Sequence, residues 1–282
     1  MRVIRSAAGM AHVARRLERQ RKRVGFVPTM GALHEGHTSL IRAAAARHDV
    51  VIVSLFVNPL QFGPGEGFAR YPRPFRRDVR LARAAGADIV FAPSAHALYP
   101  PGFQTAVEVG PLAERWEGQS RPGHFSGVAT VVALLFLLTR PTDAYVGQKD
   151  YQQALIVRRL VRDLRLPIRL HVLPTVRGPD GLAMSSRNRY LSASQRAQAA
   201  CLYRALCAGR ERIRAGERRA AGVIRAMRAR ISAQPGTRID YVALVDAETL
   251  APRRTIRGRV ALLVAARVGR TRLIDNLLVE VS

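Results

Sequence analysis

Residues 49–57, Asp49-Val50-Val51-Ile52-Val53-Ser54-Leu55-Phe56-Val57, form an almost unbroken apolar run without polar alternation. Such a run has no face to show to water, so it predicts a strand covered on both sides, as in a parallel sheet with helices over each face. Further short strands are predicted at residues 24–27, 88–92, 103–109, 143–147 and 168–173, with helical patterns between them: 6–19 with Ser6 as N-cap, 39–47, from Pro74 to about 85, 128–138, and from Gln148 onward. This alternation up to Pro174 predicts a doubly wound α/β domain. Beyond Pro174 come a polar glycine-bearing loop, helices at 192–215 and 217–233, and strands at 240–246, 259–268 and 271–279, the last two joined by a tight turn at Gly269-Arg270. Two domains are therefore expected, 1–174 and a smaller α+β unit, 175–282.

Between the strand at 24–27 and the helix at 39–47 lies Pro28-Thr29-Met30-Gly31-Ala32-Leu33-His34-Glu35-Gly36-His37. Gly31 and Gly36 let the backbone approach a ligand closely, and the start of the helix offers unpaired N–H groups and a positive dipole end to an anion. His34 and His37, three residues apart, share one face there and suit donation to phosphate oxygens that gain charge in a transition state. Taken alone, the pair also fits half of a metal site or a solvated polar surface.

Other strand ends add chemistry. Asn58-Pro59-Leu60-Gln61 follows the strand at 49–57, and carboxyl ends of parallel strands are where such sheets bind ligands. Gly147-Gln148-Lys149-Asp150 gathers a glycine, a cation and a carboxylate at a helix start, with Gln153 one turn on. Arg121 and His124, ahead of the apolar helix at 128–138, are placed to face an anion. Met184-Ser185-Ser186-Arg187 ends the polar loop in hydroxyls and a guanidinium, groups that suit a polyphosphate.

The formal charge of +26 and pI near 11.7 would point toward nucleic acid if the charge were clustered. All but two of the 46 basic residues are arginine, however, and they are scattered through almost every segment, often beside alanine. Base-composition bias accounts for that scatter better than a selected patch, and it singles out Lys149, a lysine kept where nearly every other cation is arginine; Lys22 reads as a solvated turn. The apolar fraction of 48% and mean hydropathy of −0.03 fit a globular enzyme. The longest apolar run, 128–138, is too short to cross a bilayer, and Arg2 and Arg5 precede no apolar stretch of the signal-peptide kind. Cys201 and Cys207, six apart on different helix faces, are expected to be buried thiols in a reducing compartment. A cytoplasmic location follows.

Seven motifs in order along nearly the whole chain resemble the pantothenate synthetases, also called pantoate–beta-alanine ligases: PTMGALHEGHTSL (28–40), FVNPLQF (56–62), YPR (71–73), RPGHFSGVATVV (121–132), VGQKDYQQ (146–153), DGLAMSSRN (180–188) and TRLIDN (271–276). The resemblance implies a Rossmann-type sheet like that of nucleotidyltransferases and class I aminoacyl-tRNA synthetases, with residues 184–187 as the counterpart of the latter's KMSKS loop. It implies condensation of pantoate with beta-alanine through a pantoyl adenylate, using MgATP and releasing AMP and pyrophosphate. By motif match, Met30, Gly31, Ala32, Leu33, His34, Glu35, Gly36 and His37 would hold ATP, with His37 the proton donor. Gly147, Gln148, Lys149, Asp150, Val176, Met184, Ser185, Ser186 and Arg187 would complete the ATP site, Lys149 and Arg187 neutralising charge. Gln61 and Gln153 would hold pantoate, and Gln61 beta-alanine as well. A homodimer is implied too.

Four departures stand out: Glu66-Gly67 where the family usually has an acidic pair, Arg76-Arg77 where polar or acidic residues are usual, Leu134 for a lysine, and Val146 for an aromatic. They leave metal ligands unassigned. Within the fold, the alternative is another adenylyl- or cytidylyltransferase; from the charge, it is an RNA-binding protein or synthetase fragment.

Overall fold

Strands that are apolar on both faces need helices on both, and the chain up to Pro174 supplies them. In chain order, β1 (Arg2–Ile4), α1 (Ala7–Arg19), β2 (Val24–Thr29), α2 (Glu35–Ala45), β3 (Val50–Leu55), α3 (Phe75–Ala84), β4 (Ile89–Phe91), α4 (Ala95–Leu98), α5 (Glu117–Ser120), α6 (His124–Thr139), β5 (Asp143–Gly147), α7 (Tyr151–Asp163) and β6 (Arg169–Leu173) alternate. The six strands form one parallel sheet in the order β1-β4-β3-β2-β5-β6. This computed structural model describes residues 1–64 and 66–281. Two compact units emerge, Met1–Gly147 with Gln152–Pro174, and Gln148–Tyr151 with Thr175–Ser282.

The two faces of the sheet follow the period of two along each strand. Val24, Phe26, Ile52, Ile89, Phe91 and Ala144 pack under α1, α6 and α7. Their neighbours Val27, Val51, Val53, Val90 and Tyr145 pack under α2 and α3. Helix α1 starts at Ser6, whose hydroxyl accepts the Gly9 N–H at 3.1 Å, and buries Met10, Val13, Ala14 and Leu17 at helical spacing. Strand order reverses between β2 and β5, so the crevice that such sheets use for ligands opens at the carboxyl ends of those two strands.

In the second unit α8 (Ala193–Ala199), α9 (Cys201–Arg214) and α10 (Ala220–Ser232) lead to an antiparallel sheet of β7 (Thr237–Asp246), β8 (Gly258–Val268) and β9 (Thr271–Val281), in the order β7-β8-β9. Leu202, Leu206, Met227, Ile231, Leu262 and Val264 form its core. The β8–β9 turn is Gly269-Arg270, with Gly269 at φ +56°.

Several local expectations are corrected. Residues 103–109 form no strand, because the Val107 N–H goes to the Thr130 hydroxyl at 2.9 Å and the segment lies on α6. Strand β1, three residues with only Ile4 buried, carries too little pattern to be read in advance. The helix expected over 192–215 is broken at Ala200, which caps both α8 and α9. Helix α10 begins at Ala220 and not at Glu217, since the Ala220 N–H goes to the Arg254 carbonyl and the Arg218 carbonyl accepts the Ile256 N–H. Cys207, expected to be buried, is only half-buried. No helix among the described residues is long and apolar enough to cross a membrane.

At the amino end of β5 a buried carboxylate is surrounded by an arginine and two histidines. Asp143, 4% exposed at its side chain, takes a forked pair from Arg169 at 3.0 and 3.2 Å, His171 Nε2 at 2.7 Å and His48 Nε2 at 3.0 Å. Burial opposes its ionisation, but the bonds from Arg169, His171 and His48 outweigh it and hold the carboxyl well below its usual range. Its stabilisation is therefore complete above about pH 4 and is lost only in stronger acid. Asp143→Ala should destabilise the protein by about 2 kcal/mol at pH 7, as measured by urea unfolding, because two histidines and an arginine lose their common acceptor.

Candidate active site

The turn after β2 is shaped by its own polar groups. Thr29 Oγ1 donates to the Ser54 carbonyl at 2.6 Å and accepts the Gly31 N–H at 3.1 Å. Gly31 and Ala32 then both turn left-handed, at φ +82° and +50°. For alanine that conformation costs roughly 1–2 kcal/mol, and the side chain that holds it is Asp78 of α3. The Asp78 carboxylate, 2% exposed, accepts the Ala32 N–H at 2.7 Å and the Leu33 N–H at 2.9 Å. Ala32 and Leu33 are themselves buried, so their amides serve the turn.

This turn delivers His34 to the start of α2 as its N-cap. His34 Nδ1 accepts the Gly36 N–H at 3.2 Å, and His37 Nδ1 lies 3.4 Å from the His34 N–H, a reciprocal capping box built from two imidazoles. An Nδ1 that accepts carries no proton, so in each neutral ring the hydrogen sits on Nε2. The ring centroids are 4.1 Å apart. Glu35 is bound to Arg42 at 2.6 Å and to Thr38, and the Arg42 bond holds its carboxyl below the usual range. It supports the helix start.

Gln61 sits in the short helical turn after β3, 6% exposed. Asn58 donates its amide to the Gly127 carbonyl at 2.9 Å and to Gln61 Oε1 at 3.2 Å. With Oε1 so occupied, Gln61 Nε2 points to Met30 Sδ, 3.1 Å away, and its donors face the glycine–histidine turn. Close approach requires Gly127, whose added Cβ would lie 2.3 Å from the Leu60 carbonyl oxygen. Tyr99 adds a bond to Asn58 Oδ1 at 2.8 Å, and burial pushes its phenol up, so it stays a donor.

Arg121 and His124, expected to face an anion, are engaged by the protein's own Glu66 and Gln61. Arg121 grips Glu66 through Nε and Nη2 at 2.6–3.1 Å and donates to the Gln61 carbonyl at 3.2 Å. His124, 7% exposed, donates Nδ1–H to the same carbonyl at 2.9 Å and receives Arg121 Nη1 at Nε2. Burial, reinforced by the Arg121 charge, lowers its pKa to about 4, so it is neutral.

The remaining expected residues belong to two places. Gln153, half-buried on the first turn of α7, is in the first unit with His34, His37 and Gln61. Gln148, Lys149 and Asp150, in a short helical turn, are in the second, with Val176 and Met184–Arg187. Lys149 Nζ is 3.1 Å from Asp150 Oδ1. The Met184 N–H bonds the Val176 carbonyl at 2.9 Å, closing the loop between them, and Ser185 caps the helical turn Ser186–Tyr190. Sequence reasoning gave Asp78 and Asn276 no role here, and the partners of Asp78 lie 45 and 46 residues away in the chain.

Comparison with known proteins bears on the whole chain. A family model described as pantoate-beta-alanine ligase matches residues 2–278. Pantothenate synthetase of Moorella thermoacetica is 59% identical over 92% of this chain and 92% of its own length. The crystal structure of pantothenate synthetase from Thermus thermophilus aligns with a TM-score of 0.93 at 50% identity, over 98% of this chain and 99% of that one. A pantoate-beta-alanine ligase from Francisella tularensis, crystallised with beta-gamma ATP and beta-alanine, aligns with a TM-score of 0.79 at 34% identity, over 99% and 97%.

The neutral His124 has a measurable consequence. An unfolded histidine protonates near pH 6.5, whereas the folded one resists until about pH 4. Stability is therefore lost as the pH falls through that window, by roughly 3 kcal/mol in all. His124→Gln should flatten the wild-type slope between pH 7 and 4 in urea unfolding. Equal slopes in the two proteins would assign that loss to other groups.

Proposed function

The chain belongs to the pantoate-beta-alanine ligase family, and from that premise we propose how its residues ligate pantoate and beta-alanine to pantothenate with ATP. A pantoate carboxylate oxygen attacks the α-phosphorus of ATP, the bond to the bridging β-phosphate oxygen breaks, and pyrophosphate leaves. The beta-alanine amine then attacks the acyl carbon of pantoyl adenylate, the acyl–oxygen bond breaks, and AMP leaves as the nitrogen gives up its proton. In-line transfer of this kind needs charge stabilisation and positioning more than a covalent nucleophile.

One observation carries the assignment of roles: both imidazoles of the turn have Nδ1 engaged with backbone N–H groups. Each therefore carries its hydrogen on Nε2, the nitrogen from which it would donate. His37 serves as the proton donor and His34 as its partner on the phosphates. Gln61, its oxygen turned to Asn58, presents N–H donors of the kind a carboxylate accepts, and Gln153 is the second pantoate contact. Gln61 also receives beta-alanine. Lys149 and Arg187 balance the charge on the transferred phosphoryl group; Ser185, Ser186, Gly147 and Asp150 complete the ATP site.

Magnesium enters this scheme as the counter-ion of ATP. The protein offers it no ready cage: among the described residues no group of three or more His, Cys, Asp or Glu is placed to hold a metal. Asp78 is committed to two amides and Glu66 to Arg121. A homodimer in the cytoplasm completes the proposal, and its support is the resemblance alone.

Incubation with ATP, pantoate and beta-alanine should yield AMP and pantothenate in equal amounts, with none when any substrate is omitted. AMP formation without pantothenate, or with other acceptors only, would overturn the scheme. His37→Ala should reduce single-turnover adenylate formation by roughly a hundredfold or more while leaving the melting temperature near wild type. Lys149→Ala should bring a similar loss together with weaker ATP affinity, read by calorimetric titration.

A further inference from the structure

The motif at residues 271–276 takes no part in the chemistry above, yet its last two residues, Asp275 and Asn276, are buried polar side chains on β9, 5% and 2% exposed. Buried groups of this kind need partners, and these find theirs in two other segments of the second unit. Asn276 Nδ2 donates to the carbonyls of Gln148 and Lys149, at 2.9 Å each, and its Oδ1 accepts Gln148 Nε2 at 3.2 Å. Asp275 takes a forked pair from Arg177 at 2.6 and 2.9 Å and also accepts the Asn276 N–H at 2.8 Å.

Arg177 is itself the root of the loop that carries the hydroxyls. It donates to the Gly181 carbonyl at 3.1 Å, lies 3.9 Å over the Tyr203 ring, and pairs across an antiparallel bridge with Ala183. Two consecutive residues of one strand thus hold the segment bearing Lys149 and the base of the segment bearing Met184–Arg187. The carbonyl of Lys149 is pinned, so its ammonium reaches out from a fixed point. Asparagine suits that place because one nitrogen supplies two donors to two adjacent carbonyls; aspartate, of the same size, would set a charge against both.

We propose that Asp275 and Asn276 are positioning residues for adenylate formation, fixing the lysine turn and the serine–arginine loop in one register so that Lys149 and Arg187 meet the phosphates together. This rests on the ligase scheme above. The two half-reactions separate such a role from a merely structural one, because only the first makes and breaks bonds at phosphorus. Asn276→Asp should slow pantoate-dependent exchange of pyrophosphate into ATP by tenfold or more. Amide formation from supplied pantoyl adenylate and beta-alanine should stay within about threefold of wild type. Asp275→Asn, which keeps the size and weakens the hold on Arg177, should show the same split in smaller measure. Calorimetric titration with ATP alone should find weaker binding in both variants. Equal slowing of the two half-reactions, or unchanged exchange and ATP binding, would overturn the assignment. Should Asn276→Asp not fold, Asn276→Ser gives the same readouts. A wild-type protein that binds ATP but makes no pantothenate would overturn the ligase scheme instead, and weaker ATP binding by the variants would still support the clamp.

Discussion

The bond pair from Asp78 to the amides of Ala32 and Leu33 is the constraint on which the first half of the site depends. Two left-handed residues in succession, one of them alanine, are not a conformation the turn would hold unaided. Charge-assisted bonds to a buried carboxylate are worth about 1.5–3 kcal/mol each, enough to offset roughly 1–2 kcal/mol of backbone strain. They also tie α3 to the β2–α2 connection. His34 reaches its capping position only because the chain leaves Leu33 in the right direction. The tautomers of both histidines follow from that cap.

The same division of labour recurs at Gln61. No group that orients it is placed to touch a substrate in the ligase scheme: Asn58 fixes the amide, Arg121 and His124 hold its backbone carbonyl, and Glu66 anchors Arg121. Arg121 and His124 look in sequence like a second anion site, since a cation and an imidazole ahead of a helix have that chemistry. Their anion is the protein's own Glu66, and His124 is too buried to be charged. A site that must stabilise transient charge gains from already satisfied supports, because these need no reorganisation when charge moves.

What could be read from the chain was whatever repeats locally. The run at β3 announced a covered strand through its lack of polar alternation, the alternation of strands with helices announced the sheet, the cap at Ser6 marked the first helix, and glycines with histidines between strand and helix marked the site. Strand β1 was too short to show a period. Residues 103–109 had strand composition but no available ladder, and composition cannot report a missing neighbour. The supports were illegible for another reason: Asp78 meets its partners 45 and 46 residues away, and Asn276 meets Gln148 128 away. No spacing rule connects such positions.

The excess of arginine is clearer in the fold than in the composition. Arginines meet the carboxylates of Asp143, Asp240, Asp246, Asp275 and Glu66, often in forked pairs that a planar guanidinium makes well. Residue 149 is instead a lysine, paired with Asp150 and set on a backbone whose carbonyl Asn276 holds. A guanidinium works best when its planar fork meets a fixed planar partner. An ammonium is a compact charge with three rotatable donors, suited to an oxygen whose charge and position change during reaction. Set on a main chain held by Asn276, it combines a fixed base with an adaptable tip. In the proposed ligase scheme that arrangement suits a phosphoryl group in transfer, and in the structure Asp150 Oδ1 lies 3.1 Å from the ammonium.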